Sequence, residues 1–580
     1  MKEVLKIAVH GGKKYALGIL ICSFISSFFT IYLTKYISFV IDGVIMQTSS
    51  LPQYIVNSFY NDSMQSKLLV MAVYMLFFTV IISVTNYAKS MFNTGFRLTL
   101  NKNLKIKLLE HTTYLEYGNY THYGKSQILQ RVSGDSNNFI DFVTNKYNLV
   151  VDSVFILMFS MYEILNINII VSISIAIIIV AIATMSVIYF KLTEKLVHTN
   201  IDLHEDLISR TMNAVYNPKM IKIFNREKKE IEDFSKVSDE YKKNDTKLID
   251  YLIFHELVAS AMRKIKDPAI FLICGILIIN RKMNIGALVV LLTYSNNLLN
   301  YIMQLVYAVE GINDFLVPAR RINNFLKMNE EMNDEKEYEI SNVDLSFYNV
   351  TVKINGVEIF RNVSFDIKRG QAVYLVGDNG SGKSTLVKVL LGFVPYEGTI
   401  LLGGVDIKKL NLKTLRKYVG VVFQEPFIFS DTVKNNIDIF GKSEIEDVEN
   451  VAKICEIHEE IVHFPNGYSE ILGENGVNLS GGQKQRINIA RTLLQNKEIM
   501  IFDDVLSKVD NETKEKIMEN LKKYNNDLIT IYITQDLVNI PEDGRVFFLN
   551  NRRMIIGEQK KLISENENYS KLINICNDMI

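Results

Sequence analysis

Residues 377–385 read GDNGSGKST, between the strand-like apolar run 371–376 and the helical stretch LVKVLLG. Gly377, Gly380 and Gly382 let backbone amides turn inward around phosphate oxygens, and a helix N-terminus behind them adds positive potential. Asp378, Asn379, Ser381 and Thr385 complete the loop. Lys383 is spaced to reach the β- and γ-phosphates of a nucleotide and Ser384 to ligate Mg²⁺. A tight turn without a ligand would leave Lys383 unexplained, so the motif predicts ATP-type binding with Mg²⁺ as the companion ion.

A second chemical feature is IMIFDDVLSKVD at 499–510, an apolar run that drives into two adjacent carboxylates. At the end of a buried strand beside the phosphate loop, Asp503 can hold Mg²⁺ through water. A third feature is LSGGQ at 479–483, where small residues let amides approach an anion closely. Taken locally, the less favoured reading of SGG is a plain helix entry with Ser480 as its cap.

GDNGSGKST, LSGGQKQRINIARTLL at 479–494 and the paired acids together resemble the ATP-binding cassette superfamily, and the long apolar spans before them resemble its exporter half-transporters. The resemblance covers essentially the whole chain. It implies a dimer of cassettes in which Leu479, Ser480, Gly481, Gly482 and Gln483 serve the γ-phosphate of an ATP held by a partner chain. VVFQEPFIFSDTVKNNI at 421–437 is similar to the family's Q-loop and places Gln424 at the nucleotide and its magnesium. LGENG at 472–476 is similar to the exporter X-loop, with Glu474 at the membrane-domain tips. SKVD at 507–510 follows as the loop toward the opposite cassette.

Against that pattern the chain departs at three places. Active members carry a Glu that orients the attacking water where this chain has Asp504, one methylene shorter. In ITIYITQDL at 529–537 the switch histidine is replaced by Gln535. The adenine-stacking aromatic falls on Ile354 in the favoured register of FYNVTVKI, 347–354, while a competing register would use Phe347. One account is a homodimer that still turns over with Asp504. The favoured account is a heterodimer in which this chain's own site is degenerate and its intact LSGGQ completes a partner's site.

The elements that must position these residues divide the chain. Its 580 residues exceed one domain, and 64 basic against 64 acidic residues leave no net charge, which argues against a nucleic-acid-coating protein. Cys22, Cys274, Cys455 and Cys576 have neither zinc-ligand nor disulfide-framework spacing. Nearly every long apolar run lies before residue 310. Six spans are expected at 15–40, 68–87, 149–165, 169–189, 268–279 with the apolar stretch before it, and 285–309. Lysine and arginine crowd 1–14, 89–146 and 191–250 and are missing from 41–66, so both termini are expected on the cytoplasmic side of a cell membrane. The two long basic connections keep helical periodicity and read as helices extended beyond the bilayer, with tips at 117–124 and 216–218. After the acidic stretch 329–339 the pattern turns to short strands. A transmembrane domain of 1–328, all helical, and a nucleotide-binding α/β P-loop domain of 337–580 are thus expected.

The weakest span carries Arg263, Lys264, Lys266 and Asp267, and charge at membrane depth faces a cavity or a partner. Either Arg263 and Asp267, four apart, neutralise each other, or Lys264 and Lys266 leave a basic patch for an anionic or peptidic cargo. The functional readings are an ATP-driven exporter subunit of unknown substrate, a lipid flippase of the same build, and a non-transporting membrane protein regulated by ATP.

Overall fold

A computed structural model of the chain describes residues 2–46, 63–310, 312–331, 340, 342–354, 356–524, 527–537 and 539–578. Most of the lysine-free connection 41–66 and most of the acidic stretch 329–339 lie outside these residues. The chain forms two compact units, Met1–Thr113 with Lys125–Lys327, and Tyr114–Gly124 with Met328–Ile580. The segment 114–124 therefore groups with the second unit rather than with the helices that flank it in sequence.

The first unit is helical: α1 (Lys13–Phe39), α2 (Met64–Tyr114), α4 (Ser136–Ile167), α5 (Ile169–Tyr216), α7 (Glu227–Ile279), α8 (Ile285–Glu310) and α9 (Ile312–Leu326), with α3 (Tyr117–Tyr123) in the second unit and α6 (Pro218–Ile223) as a short turn. At 1.5 Å per residue the 51-residue α2 is about 75 Å long, more than twice a hydrocarbon core of ~30 Å. The helices end where their sequences demand it. Asn168 caps α5 by accepting from the amides of Ile170 and Val171 at 2.9 and 3.2 Å, which makes the tight return from α4. Pro218, at the first turn of α6, enforces the break after Tyr216. Gly124, at φ 74°, closes α3.

Among the described residues, five helices are apolar and long enough to cross a membrane. The span expected around 268–279 is not among them, because it is the end of the single 53-residue α7, whose charges dilute its hydropathy. Two ion pairs inside the bundle escaped the sequence reading. Lys35 of α1 meets Glu163 of α4 at 3.0 Å, and Lys89 of α2 meets Asp152 of α4 at 2.9 Å. Each pairing neutralises a charge that would be costly to leave alone in lipid.

The second unit is α/β. Its strands are β1 (Leu345–Ile354), β2 (Val357–Ile367), β3 (Ala372–Gly377), β4 (Glu397–Leu402) and β5 (Val405–Asp406), then β6 (Val419–Val422), β7 (Ile499–Asp503), β8 (Ile529–Ile533), β9 (Arg545–Asn550) and β10 (Arg553–Glu558). One sheet runs β2-β1-β4-β5 and is antiparallel; the other runs β10-β9-β3-β8-β7-β6, with a parallel core. Parallel strands are covered on both faces, which is why β3, β7 and β8 read as unbroken apolar runs. Val373, Leu375, Ile499 and Ile501 join the core shared with the antiparallel sheet, whereas Tyr374, Val376, Met500 and Phe502 point into the opposite core. On that opposite face Tyr374, Tyr532 and Phe502 stack across three neighbouring strands, with centroids 5.4 Å apart at each step. The ladders pair Leu375 with Ile533 and Ile533 with Asp503, so the ends of β3, β8 and β7 are level, and the chemical loops spring from those ends.

Candidate functional site

β3 stops at Gly377, and the chain turns through 378–382 into α10 (Lys383–Leu390). Two glycines here are enforced. Gly377, at φ 153°, passes so close to β9 that a Cβ would lie 2.4 Å from the Leu549 carbonyl oxygen. Gly382, at φ 107°, occupies the cap of α10, and a Cβ would meet Ile359 Cγ2 at 2.7 Å. No side chain caps α10, so its first amides remain available to an anion. Asp378, Asn379 and Gly380 are exposed at the loop tip, and Thr385 is half-buried in the first helical turn.

Lys383 Nζ folds into the loop and donates to the carbonyls of Gly377 and Asp378 at 2.6 and 3.0 Å. Burial pulls its pKa down, against the opposing carboxylates of Asp503, Asp378 and Asp504. Ser381 Oγ is enclosed and has no hydrogen-bond partner among the described residues. An orphaned hydroxyl, uncapped amides and a buried ammonium facing one loop fit a polyphosphate.

Asp503 ends β7. Burial raises its pKa, and a hydrogen bond from Ser384 and the charge of Lys383 oppose the rise. A buried carboxylate beside a serine hydroxyl is the donor set a divalent ion completes. Asp504 follows in left-handed backbone, φ 50°. Its amide donates to the Ile533 carbonyl at 2.9 Å, its carbonyl accepts from Ser507 Oγ at 2.9 Å, and its Oδ2 accepts from Gln424 Nε2 at 3.1 Å. The pKa of Asp504 is also raised, first by burial. The fold thus brings together the phosphate loop, Ser384, Asp503, Asp504 and Gln424. Gln535 is exposed in the loop after β8, two residues beyond the Ile533 carbonyl that holds Asp504.

The competing assignment of Phe347 to the adenine is overturned. Phe347 is fully buried and stacks on Phe365 at 4.3 Å. Ile354, partly exposed, stands at the end of β1 paired with Val357. Phe347 points inward because strand alternation and the register with β2 send its ring to the core.

Ser480 does cap α11 (Gly481–Leu493): its Oγ accepts from the Gln483 amide at 3.2 Å, while Gln483 Oε1 accepts from the Ser480 amide at 2.8 Å. Gln483 Nε2 also reaches Glu460 at 2.7 Å. Leu479 is buried, and Gly481 and Gly482 lie against Lys508, within the SKVD loop. Among the described residues no hydrogen bond joins the signature to the phosphate loop. Glu474 is exposed in a single helical turn.

Two features were missed in sequence. Arg491 of α11 is buried and forks onto the Asn436 and Phe427 carbonyls, each at 2.6 Å, and onto Asn436 Oδ1 at 2.9 Å. Burial depresses its pKa to about 10, so it remains charged. It fastens the signature helix to the segment following Gln424. The other feature is the seat of α3: Tyr117 stacks on Phe393 at 4.3 Å, Arg416 lies over Phe393, and Arg416 grips Glu331 with two hydrogen bonds of 2.8 Å. A bridge between Leu115 and Glu330 closes the arrangement. The only hint in sequence was the helix break at 117–124.

Together the phosphate loop, the acidic strand end and the helical half define a nucleotide-driven membrane machine. Family models agree: residues 360–507 match the ABC transporter model, and residues 15–303 match the ABC transporter transmembrane region. The chain belongs to the ABC transporters, as an exporter half-transporter whose transmembrane domain is fused to an ATP-hydrolysing cassette that uses ATP with Mg²⁺. It is similar to the multidrug resistance-like ATP-binding protein MdlA of Buchnera aphidicola, 26% identical, over 89% of this chain and 92% of that protein. It is also similar to the transport/processing ATP-binding protein ComA of Streptococcus pneumoniae, 25% identical, over 90% of this chain and 74% of that one. A bacterial Atm1-family ABC exporter solved with ATP bound shares the fold, at TM-score 0.83 and 20% identity, over 97% of this chain and 99% of that chain. ABC exporters act as dimers in a lipid bilayer.

Proposed function

We propose that this chain is the degenerate-site subunit of a heterodimeric exporter, in which its own nucleotide is held and turned over slowly while its signature completes the competent site of a partner half-transporter. In this reading the loop 377–385 cradles the phosphates, and Lys383 leaves the carbonyls of Gly377 and Asp378 to meet the β- and γ-oxygens. Ser384, Asp503 and Gln424 would hold magnesium, which would supply positive charge to offset that of the phosphates. Asp504 receives a proton from the attacking water, and Gln535 offers the γ-phosphate a neutral amide in place of an imidazole. Leu479–Gln483 serves the partner's ATP. Both termini are cytoplasmic, and the domain junction lies between 328 and 337.

The observation that carries the proposal is the contrast between the two halves of the site. The capped signature of Ser480 and Gln483 is intact, whereas the base is a short Asp504 tied back to Gln424 at 3.1 Å. A general base contributes about 10²–10⁴-fold when it reaches its water, and misplacement by 1 Å can forfeit about 10²-fold. The names of MdlA and ComA support a drug-like or peptidic cargo. The test is ATPase activity of the full chain in lipid, alone and with a candidate partner half-transporter. Turnover should emerge only with the partner; robust turnover alone returns the chain to a homodimer.

A further inference from the structure

The four charges around residue 265 do not form the arrangement expected of them. Arg263 pairs with Glu256, seven residues back rather than four ahead. Lys264 is exposed, and Lys266 is wholly buried. Lys266 Nζ donates to Ser295 Oγ at 2.8 Å and to Asn296 Oδ1 at 2.7 Å, both on α8, and lies 2.8 Å from Asp267 Oδ1. An ammonium has three donors, and three acceptors surround this one. The basic patch is therefore closed: Lys266 has no capacity left for an anionic cargo.

Asp267 is differently placed. Its Oδ1 is enclosed in the ion pair with Lys266, yet 48% of the side chain is still exposed. It lines an open groove of about 800 Å³ together with Pro268, Phe271, Gly275, Leu292 and Asn296. From Asp267 to the end of α7 at Ile279 is about 18 Å of helix, so a hydrocarbon core of ~30 Å that began at Ile279 would enclose the carboxylate. Pro268 also leaves the Lys264 carbonyl without its intrahelical donor, which adds a second acceptor at the same level. The Lys266–Asp267 pair is neutral as a whole, but the pole it turns to the groove is negative. Since Asn296 Oδ1 is occupied by Lys266, its amide nitrogen is left as the one donor on that wall.

We propose that this groove is a cargo subsite for an amphipathic amine: an apolar body against Phe271 and Leu292, a protonated amine on Asp267, and an adjacent hydroxyl or carbonyl oxygen on the Asn296 amide. Lys266 is a positioning residue that holds the Asp267 side chain in place through their 2.8 Å ion pair. The proposal rests on the reading of the chain as an exporter and names the charge class of what enters it. An anionic head is rejected, because the ammonium that would attract it lies behind a carboxylate and is already enclosed. Gly275 faces open space, where a Cβ would meet nothing within 4 Å, so a larger side chain there fills the groove without disturbing the helices.

The chain contains no tryptophan, so Leu272→Trp, on the groove wall, creates a single reporter. The full chain carrying it is reconstituted in phosphatidylcholine nanodiscs and titrated with dodecylamine, dodecanol and dodecanoate, three heads on one body. Dodecylamine is expected to saturate the reporter at a concentration about 10- to 100-fold below dodecanol, the worth of one hydrogen bond to a charged group, and dodecanoate not at all. Asp267→Asn should erase the amine's lead, Asp267→Glu should keep most of it, and Gly275→Phe should remove saturation for every head. Equal affinity for the three heads, a preference for dodecanoate, or an amine lead that survives Asp267→Asn overturns the proposal. Transport of the same probes into vesicles separates the two readings. With the partner half-transporter present, movement without charge preference rejects the subsite alone, whereas discrimination in binding without movement of any probe rejects the exporter reading and leaves the subsite standing.

Discussion

Asp504→Glu tests the central argument. The added methylene advances the carboxylate by about 1.3 Å, the projection of one C–C bond of ~1.5 Å, which is the distance by which the base falls short. Reach alone is worth about 10²-fold, and the missing imidazole at Gln535 leaves part of the deficit in place, so the chain measured by itself should gain roughly 10- to 100-fold in kcat. The same change has an opposing consequence for stability. Asp504 sits at φ 50°, a region that Asp tolerates and a longer acid resists by about 1–2 kcal/mol. For a domain of the cassette's size that loss lowers Tm by roughly 2–8 °C. The assay is steady-state ATP hydrolysis by the full chain in lipid, with Tm and nucleotide affinity measured on the same preparation. The reasoning is refuted if Asp504→Glu binds ATP normally and gains nothing in kcat, or if Asp504→Asn keeps the parent rate.

The raised pKa of Asp504 gives a pH prediction whose sign follows from its causes: burial pushes it up and the Gln424 hydrogen bond holds it down. A base works as the carboxylate, so activity is present above that pKa and lost as pH falls through it. Gln424→Leu should move the acid limb of residual ATPase toward neutral pH; a limb that stays put, or moves to lower pH, rejects the coupling. Arg491→Leu removes a buried cation that satisfies two carbonyls and an amide, with an expected loss of about 3–5 kcal/mol and roughly 10 °C in the unfolding temperature of the cassette. A fall below about 2 °C would show that the signature helix is fastened some other way.

What the sequence determined by itself was chemistry carried by neighbours along the chain. Strand, glycine loop, lysine and helix in GDNGSGKST lie within one turn of each other, so their types and spacing specify a phosphate site without knowledge of any distant contact. Five of the six expected spans were legible for a similar reason, because lipid imposes one requirement on every residue of a run, whereas the span at 268–279 is the end of one long charged helix. Only the tertiary structure decided matters that depend on which distant residue arrives. Gln424 reaches Asp504 across 80 positions, strand register turns Phe347 into the core, and the Arg491 fork takes carbonyls that no motif marks. The charges near residue 265 show the limit most clearly. Periodicity offered Asp267 to Arg263 or left Lys266 to a cargo, but packing of α8 against α7 enclosed the lysine between Ser295 and Asn296 and left the carboxylate part-exposed beside it. In a low-dielectric interior, burial and hydrogen-bond satisfaction set the worth of a charge, and both belong to the fold rather than to the order of residues.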